Sequence, residues 1–234
     1  MSNLGFVTTA HYSKELRPNG IEYLNSYLNS ISDNCDVDYN IYVMDNESVT
    51  PFNDKSRYFF ERFENQKDGG LSKTWNVGVK RAYDDGCEVI VVSNDDIVFT
   101  ETINDLFNYA CSNPHTNTCH IGPVCDNAIT YHQQANGPGT AVMDYTNTPW
   151  DTRPGFALNG YCFAFHRDFY EKFNVEGKLW NIDGTKPKWG GEENDLFDRC
   201  HPAGMRSVVF HPWFVGHYGD HGWRQHLDMK GDLV

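Results

Sequence analysis

The chain has 234 residues, with 19 Lys and Arg against 32 Asp and Glu, so its formal net charge is −13 and its pI is near 5.1. That balance disfavours broad nucleic-acid binding, which needs basic side chains to displace counterions from phosphates, and it disfavours an anionic membrane surface. The length suits one large domain or two small ones, with ample core. The longest aliphatic run, Val89 to Val92, is far shorter than the about 20 apolar residues that a membrane span needs. The first residues show no basic region followed by an apolar stretch, so no secretory signal is expected. The seven cysteines are odd in number and form no C-x-x-C pair, which favours reduced thiols and a cytoplasmic setting over a disulfide framework.

In chain order, Gly5 to Thr9 reads as a strand, and Gly20 to Ile31 as a helix with Ile21, Leu24, Leu28 and Ile31 on one stripe. Asn40 to Met44 is a second strand, ending at Asp45. Leu71 to Tyr83 is helical, with Trp75, Val79 and Ala82 on one face. Glu88 to Val92 suits a buried parallel strand. Thr100 is placed to cap a further helix carrying Ile103, Leu106, Phe107 and Ala110. Asn113 to Pro154, rich in Asn, Thr, Pro and Gly, reads as loops. Beyond it, Tyr161 to Phe165 is a strand, Arg167 to Phe173 a short helix, Glu192 to Ala203 a helix and Ser207 to Phe210 a strand. The alternation predicts an α/β fold: a mostly parallel central sheet with helices on both faces, in a single domain with no visible linker. Ligands in such sheets bind beyond the carboxyl ends of the strands. Those ends here are Thr8-Thr9, Asp45-Asn46 and Asn94-Asp95-Asp96.

Four local patterns can carry chemistry. Asp95-Asp96 follows an apolar strand; hard carboxylate oxygens there suit Mg²⁺ or Mn²⁺, and a polar turn is the plain alternative. Gly69-Gly70 opens a helix whose backbone N–H groups are able to meet an anion, though no P-loop is present, and locally an ordinary helix with Trp75 in the core explains the segment. Glu192, Glu193 and Asp195 gather at a helix start. The helix dipole alone accounts for them, while their mutual repulsion also favours a general base or acid near neutral pH. Five histidines, at 201, 211, 217, 221 and 226, lie in the last stretch, without the H-E-x-x-H of a zinc hydrolase.

Together and in order, these pieces resemble the family-2 type of nucleotide-sugar glycosyltransferases, which have the GT-A fold. The resemblance covers about Gly5 to His221. Val43-Met44-Asp45-Asn46-Glu47-Ser48 is similar to the family's strand ending in D-N-x-S. Gly70 to Ala82 resembles its N-x-G helix, and Val91 to Asp96 its D-x-D, here N-x-D. Leu158 to Phe163 with Arg167 resembles the strand-to-helix step lining the cleft. Glu192 to Leu196 resembles E-D-x-D-L, and Val215-Gly216-His217 the later metal-side His. The resemblance implies Asp96 and His217 as metal contacts, with Mn²⁺ or Mg²⁺ as the ion. It implies Thr8, Thr9, Asp45, Asn46, Ser48, Trp75, Asn76, Asn94, Asp95 and Gly160 on the nucleotide and donor side. Asn94 takes a ribose or water-mediated role rather than direct ligation. Glu193 aligns with the general base, although it is one methylene longer than the usual Asp; Glu192 and Asp195 stand as alternatives. The implied activity is inverting transfer from a nucleotide-sugar, UDP-linked first, to a hydroxyl of a glycan or other acceptor. About 1–112 would form the nucleotide-binding half and about 113–234 the acceptor half. A nucleotidyltransferase is the alternative enzyme, lacking its basic G-x-G-T-R-like loop at Thr8 to Tyr12. A non-catalytic sugar-binding module is the other alternative, opposed by the acidic groups at 96 and 192–195. A nucleic-acid acceptor is disfavoured by the charge.

Overall fold

The structure is a computed structural model. It describes residues 3–15, 17–49, 58–63, 66–112, 118–128, 133–144, 160–182, 184 and 192–219, with the backbone alone at 66–69 and 192–195. In chain order its elements are β1 (Leu4–Ala10), α1 (Gly20–Asn34), β2 (Tyr39–Asn46), β3 (Phe59–Phe63), α2 (Gln66–Asp84), β4 (Val89–Asn94), β5 (Ile97–Phe99) and α3 (Ile103–Ser112). Then follow β6 (Thr118–Cys125), β7 (Val142–Asp144), β8 (Cys162–His166), α4 (Arg167–Phe173), α5 (Glu192–Cys200) and β9 (Arg206–His217).

The apolar runs that read as strands form the parallel half of one sheet. β1 pairs with β2 and with β4 in register, Leu4 opposite both Tyr39 and Val89, and β3 adds to the outer side of β2. β1 is buried along its whole length, so its sequence shows a continuous run rather than alternation. Alternate residues nevertheless serve two cores. Phe6, Val43 and Val91 pack with α1 and α3, through residues such as Leu28 and Leu106. Val7, Met44 and Val92 pack with α2, α4 and α5, through residues such as Val79, Phe169 and Phe197. Helices therefore cover both faces, as the alternation predicts.

Antiparallel pairing enters with β8, which runs against β4 and against β6; the order is β3-β2-β1-β4-β8-β6-β9-β5, with β7 on β9. The segment expected to be all loop thus supplies two strands, a correction. β6 is buried throughout although its sequence holds His120, Gly122 and Pro123. β9 continues to His217, past the expected end at Phe210. Its register against β6 jumps between Gly122 and Val124, where Pro212 falls, so the proline sits in a bulge that needs no ladder N–H.

Local details refine the helices. Ile21, placed on the buried stripe of α1 by its spacing, is 37% exposed, while Tyr27 is fully buried. Gly70 has φ 64 and interrupts α2, so the regular helix starts after it. Gly78 lies where a Cβ would collide with Val7 Cγ1, which lets α2 approach β1 closely. Thr100 does not cap α3 with its side chain. Its hydroxyl donates to the Phe214 carbonyl at 2.8 Å, and Thr102 takes the Phe214 N–H at 2.9 Å, tying the helix start to β9.

Candidate active site

Parallel register brings three strand ends together. Ala10 stands opposite Asp45, and Thr9 opposite both Met44 and Asn94. Thr8, Thr9, Asp45, Asn46 and Asn94 therefore share one end of the sheet, as predicted. Asp45 is fully buried and accepts from Arg62 Nη1 at 2.8 Å and from the Ser48 N–H at 3.2 Å. Burial pushes its carboxyl pKa up; the Ser48 and Arg62 hydrogen bonds and the Arg62 charge hold it back. Ser48 Oγ accepts from the Tyr12 N–H at 2.9 Å, and Arg62 also donates to the Ser48 carbonyl, so the chain after β2 is fastened to the loop after β1. Thr9 and Thr74 share a hydrogen bond of 2.7 Å that joins β1 to α2. Neither the amide of Asn46 nor the hydroxyl of Thr8 has a protein partner among the described residues, although both are buried.

The Asp95-Asp96 turn separates the roles of its two carboxylates. Asp95 is ion-paired with Arg17 at 2.5 Å, with both side chains nearly out of solvent. Burial pushes Asp95 up to about 6 in spite of Arg17. Asp96 faces the other way in function: its Oδ2 lies 3.6 Å from His217 Nε2. The backbone fixes that meeting, because Ile97 pairs with His217 across β5 and β9, and Tyr218 N–H donates to the Asp96 carbonyl at 3.1 Å. The His217 ring stacks on Tyr161 at 4.9 Å. Its Nδ1 is 3.0 Å from the Asn127 carbonyl, which only accepts, so Nδ1 carries a proton and Nε2 is turned to Asp96. Burial works against a charged ring here, yet the hydrogen bonds and charges of Asp96 and Cys125 lift His217 to about 10.

Two adjacent ligands at about 2.1 Å from an octahedral ion stand about 3 Å apart, somewhat closer than the 3.6 Å between Asp96 Oδ2 and His217 Nε2. A histidine whose Nδ1 is anchored on a carbonyl also has the usual support of a metal ligand. Asp96 and His217 therefore fit as two ligands. Among the described residues no third His, Cys, Asp or Glu joins them.

The other predicted residues divide. Gly160, half-buried, precedes Tyr161, whose carbonyl takes the Asn94 N–H at 2.8 Å, so it adjoins the strand end. Trp75 is instead a core residue, 1% exposed and set edge-on against Phe163 and Trp180. Asn76 spends its amide on the backbone, accepting from Leu179 and Trp180 N–H and donating to the Trp180 carbonyl. The side chains of Glu192, Glu193 and Asp195 lie outside the described residues; the backbone of α5 does begin at Glu192. The structure adds Arg17, Arg62, Asn127 and Asp126, whose Oδ1 accepts the His217 N–H at 3.0 Å. The sequence signals only the need for a cation, since carboxylates buried at strand ends require one, and does not single out Arg17 or Arg62.

A protein-family model described as Glycosyl transferase family 2 matches residues 18–173, two thirds of the chain. The chain belongs to this family. Among solved structures, the family-2 chain is similar to S. aureus TarS 1–349 in complex with UDP-GlcNAc, at TM-score 0.61 and 13% identity over 96% of this chain. TarS 1–349 alone gives TM-score 0.54 and 12% identity over 92% of this chain, and a further TarS structure gives 0.58 and 14% over 92%. At these identities the likeness is one of fold. The chain spans 61%, 60% and 36% of those three TarS chains, respectively. No curated protein matches it. Among the described residues no helix is long and apolar enough to cross a membrane.

Proposed function

We propose that this family-2 domain transfers a sugar from a UDP-sugar to a hydroxyl of a glycan or other acceptor, with inversion, in the presence of Mn²⁺ or Mg²⁺. The observation that carries the reading is the approach of His217 Nε2 to Asp96 Oδ2 at the end of β4, in a chain of this family. The unpaired Asn46 amide and Thr8 hydroxyl support a nucleoside at the adjoining strand ends, since buried polar atoms normally find partners. UDP is the first base to try because a TarS structure of the same fold holds UDP-GlcNAc.

The chain's own residues then divide the work. Thr8, Thr9, Asp45, Asn46 and Ser48 hold base and ribose, with Asn94 and Gly160 beside them. Asp96 and His217 hold the cation; when bound, it supplies positive charge against the charge that develops on the leaving diphosphate. Arg17 pairs with Asp95, which leaves Asp96, beside His217, as the carboxylate turned to the ion. Glu193, or in its place Glu192 or Asp195, accepts the proton of the acceptor hydroxyl. That oxygen attacks the anomeric carbon while the bond to the diphosphate oxygen breaks and its electron pair leaves with UDP. Such base assistance is typically worth about 10²–10⁴-fold. About 1–112 serve the nucleotide and about 113–234 the acceptor. The seven free thiols suit a reducing compartment such as the cytoplasm, and the charge of −13 opposes a nucleic-acid acceptor.

Thermal denaturation tests the donor site. At about 100 times Kd a ligand adds roughly 2.7 kcal/mol, or roughly 5–10 °C in Tm for this size. UDP with Mn²⁺ should give such a shift. Asp96→Ala should remove its metal-dependent part, and Glu193→Gln should keep it while ending UDP release from donor and acceptor. No shift with any nucleoside diphosphate plus Mn²⁺ or Mg²⁺ overturns the reading.

A further inference from the structure

Next to the Asp96–His217 pair the fold carries a feature that the reaction above leaves unused. Tyr218 follows His217 directly, and its ring stacks on Tyr23 of α1 with centroids 5.0 Å apart and planes at 30°. Tyr218 is 52% exposed, one of the few large apolar side chains left open to solvent among the described residues. Since one face lies on Tyr23, the exposure falls on its opposite face and edges.

Both rings are tied to the acidic turn. Tyr218 is held through its own N–H on the Asp96 carbonyl and through its carbonyl, which accepts from Asn127 Nδ2 at 3.3 Å. Tyr23 is held from the other side: the Arg17 guanidinium sits 5.6 Å from its ring centroid while it pairs with Asp95. Gly219 then turns the chain at φ 66, where a Cβ would collide with Asn127. The stack is thus tied to the same turn that presents Asp96.

We propose that the Tyr23–Tyr218 stack is the platform on which the ring of the acceptor sugar rests, an inference that builds on the glycosyltransferase reading. A pyranose has an apolar C–H face that lies flat on an aromatic ring and hydroxyls that point outward to water, which matches a half-exposed tyrosine. The nucleobase is the less suitable occupant. The buried polar groups offered to it, on Thr8 and Asn46, belong to β1 and β2, whereas Tyr218 directly follows the metal-side His217 at the end of β9. A protein partner is unsuitable too, because two rings bury roughly 150–250 Å² each, against roughly 1,000 Å² for a specific interface.

Saturation-transfer NMR with methyl glycosides of glucose, galactose and N-acetylglucosamine, with and without UDP and Mn²⁺, tests this. At least one glycoside should receive magnetisation on the C–H protons of one ring face. Tyr218→Ala should weaken its binding about fivefold, equivalent to about 1 kcal/mol, and Tyr23→Ala should do likewise. Tyr218→Phe and Tyr218→Trp should retain it, because the ring and not the hydroxyl does the binding. The UDP–Mn²⁺ thermal shift should be the same in all four variants. Silence of all three glycosides, or equal binding by Tyr218→Ala, overturns the platform even where the UDP shift is intact. A loss of UDP affinity in Tyr218→Ala with glycoside binding unchanged assigns the stack to the nucleobase and overturns it as well. An absent UDP shift in the unaltered protein bears on the donor site alone.

Discussion

Arg17 and Asp95 form an ion pair of 2.5 Å in which the guanidinium side chain is 8% and the carboxylate side chain 1% exposed. Such a pair is costly to break from one side, by about 3–5 kcal/mol, because the charge left behind stays out of water. Arg17→Met should therefore lower Tm by roughly 6–12 °C, about 3 kcal/mol at this chain length. Adding Asp95→Asn should restore most of the loss. Thermal denaturation of the two variants decides it, and an additive effect would mean that the pair is not coupled.

Asn76 separates a structural from a ligand-binding part for the N-x-G helix. Its amide makes three hydrogen bonds with the backbone of Leu179 and Trp180, at 2.8 to 3.1 Å. Asn76→Ala should cost about 2–4 kcal/mol, since each lost bond strands a buried backbone group. UDP affinity, measured by titration calorimetry at a temperature where the variant is folded, should stay within about twofold, well under the about 1.4 kcal/mol of a tenfold change.

Gly78 has a steric reason. A methyl group there meets Val7 Cγ1 well inside contact distance, with Met44 close behind. Gly78→Ala gains up to about 1 kcal/mol of helix propensity and loses about 1–3 kcal/mol to overpacking, so it should destabilise in balance. With Val7→Ala as partner the loss should shrink, which urea denaturation of the single and double variants reads directly.

His120 predicts a pH dependence. Both its ring nitrogens are buried without a hydrogen-bond partner among the described residues, and the ring stacks on Phe163 at 4.4 Å. Burial, with the charge of His201 adding to it, pushes the imidazole down to about 3. The folded pKa thus lies below the unfolded one, so this group's share of stability is full above about 6.5 and is lost as pH falls toward 3. Between pH 7.5 and 5.0 the unaltered protein should lose about 2 kcal/mol from this group. In His120→Phe that part of the slope should vanish. Parallel slopes for the two proteins would place the proton elsewhere.

Where one physical signal dominated, the sequence was readable. β1, β2 and β4 announce themselves because burial on both faces leaves no room for polar letters, and α3 because Ile103, Leu106, Phe107 and Ala110 keep a helical period. β3 gave no such signal: it lies at the sheet's edge with Glu61 and Arg62 half-exposed. β6 was hidden by His120, Gly122 and Pro123, which the tertiary packing buries regardless. At the candidate site, the meeting of Asp96 with His217 was legible through the family resemblance, which implied both residues. Arg17 and Arg62 were not, because Arg62 meets Asp45 only through the pairing of β2 with β3 and Arg17 reaches Asp95 from the distant segment before α1, and no local pattern records either choice.

Only Asp95 and Asp96 separate β4 from β5, yet in hydrogen-bond order β8, β6 and β9 stand between those two strands. A flat sheet would hold them four spacings apart, about 19 Å, and the three peptide steps from Asn94 to Ile97 reach about 11 Å at most. The sheet must therefore curl until its last strand returns beside its fourth, with the acidic turn as the short strap across the gap. The carboxylates consequently sit in the strap that closes this gap. Any change in the curl of β6 and β9 has to be absorbed within two residues, one held by Arg17 and the other facing His217.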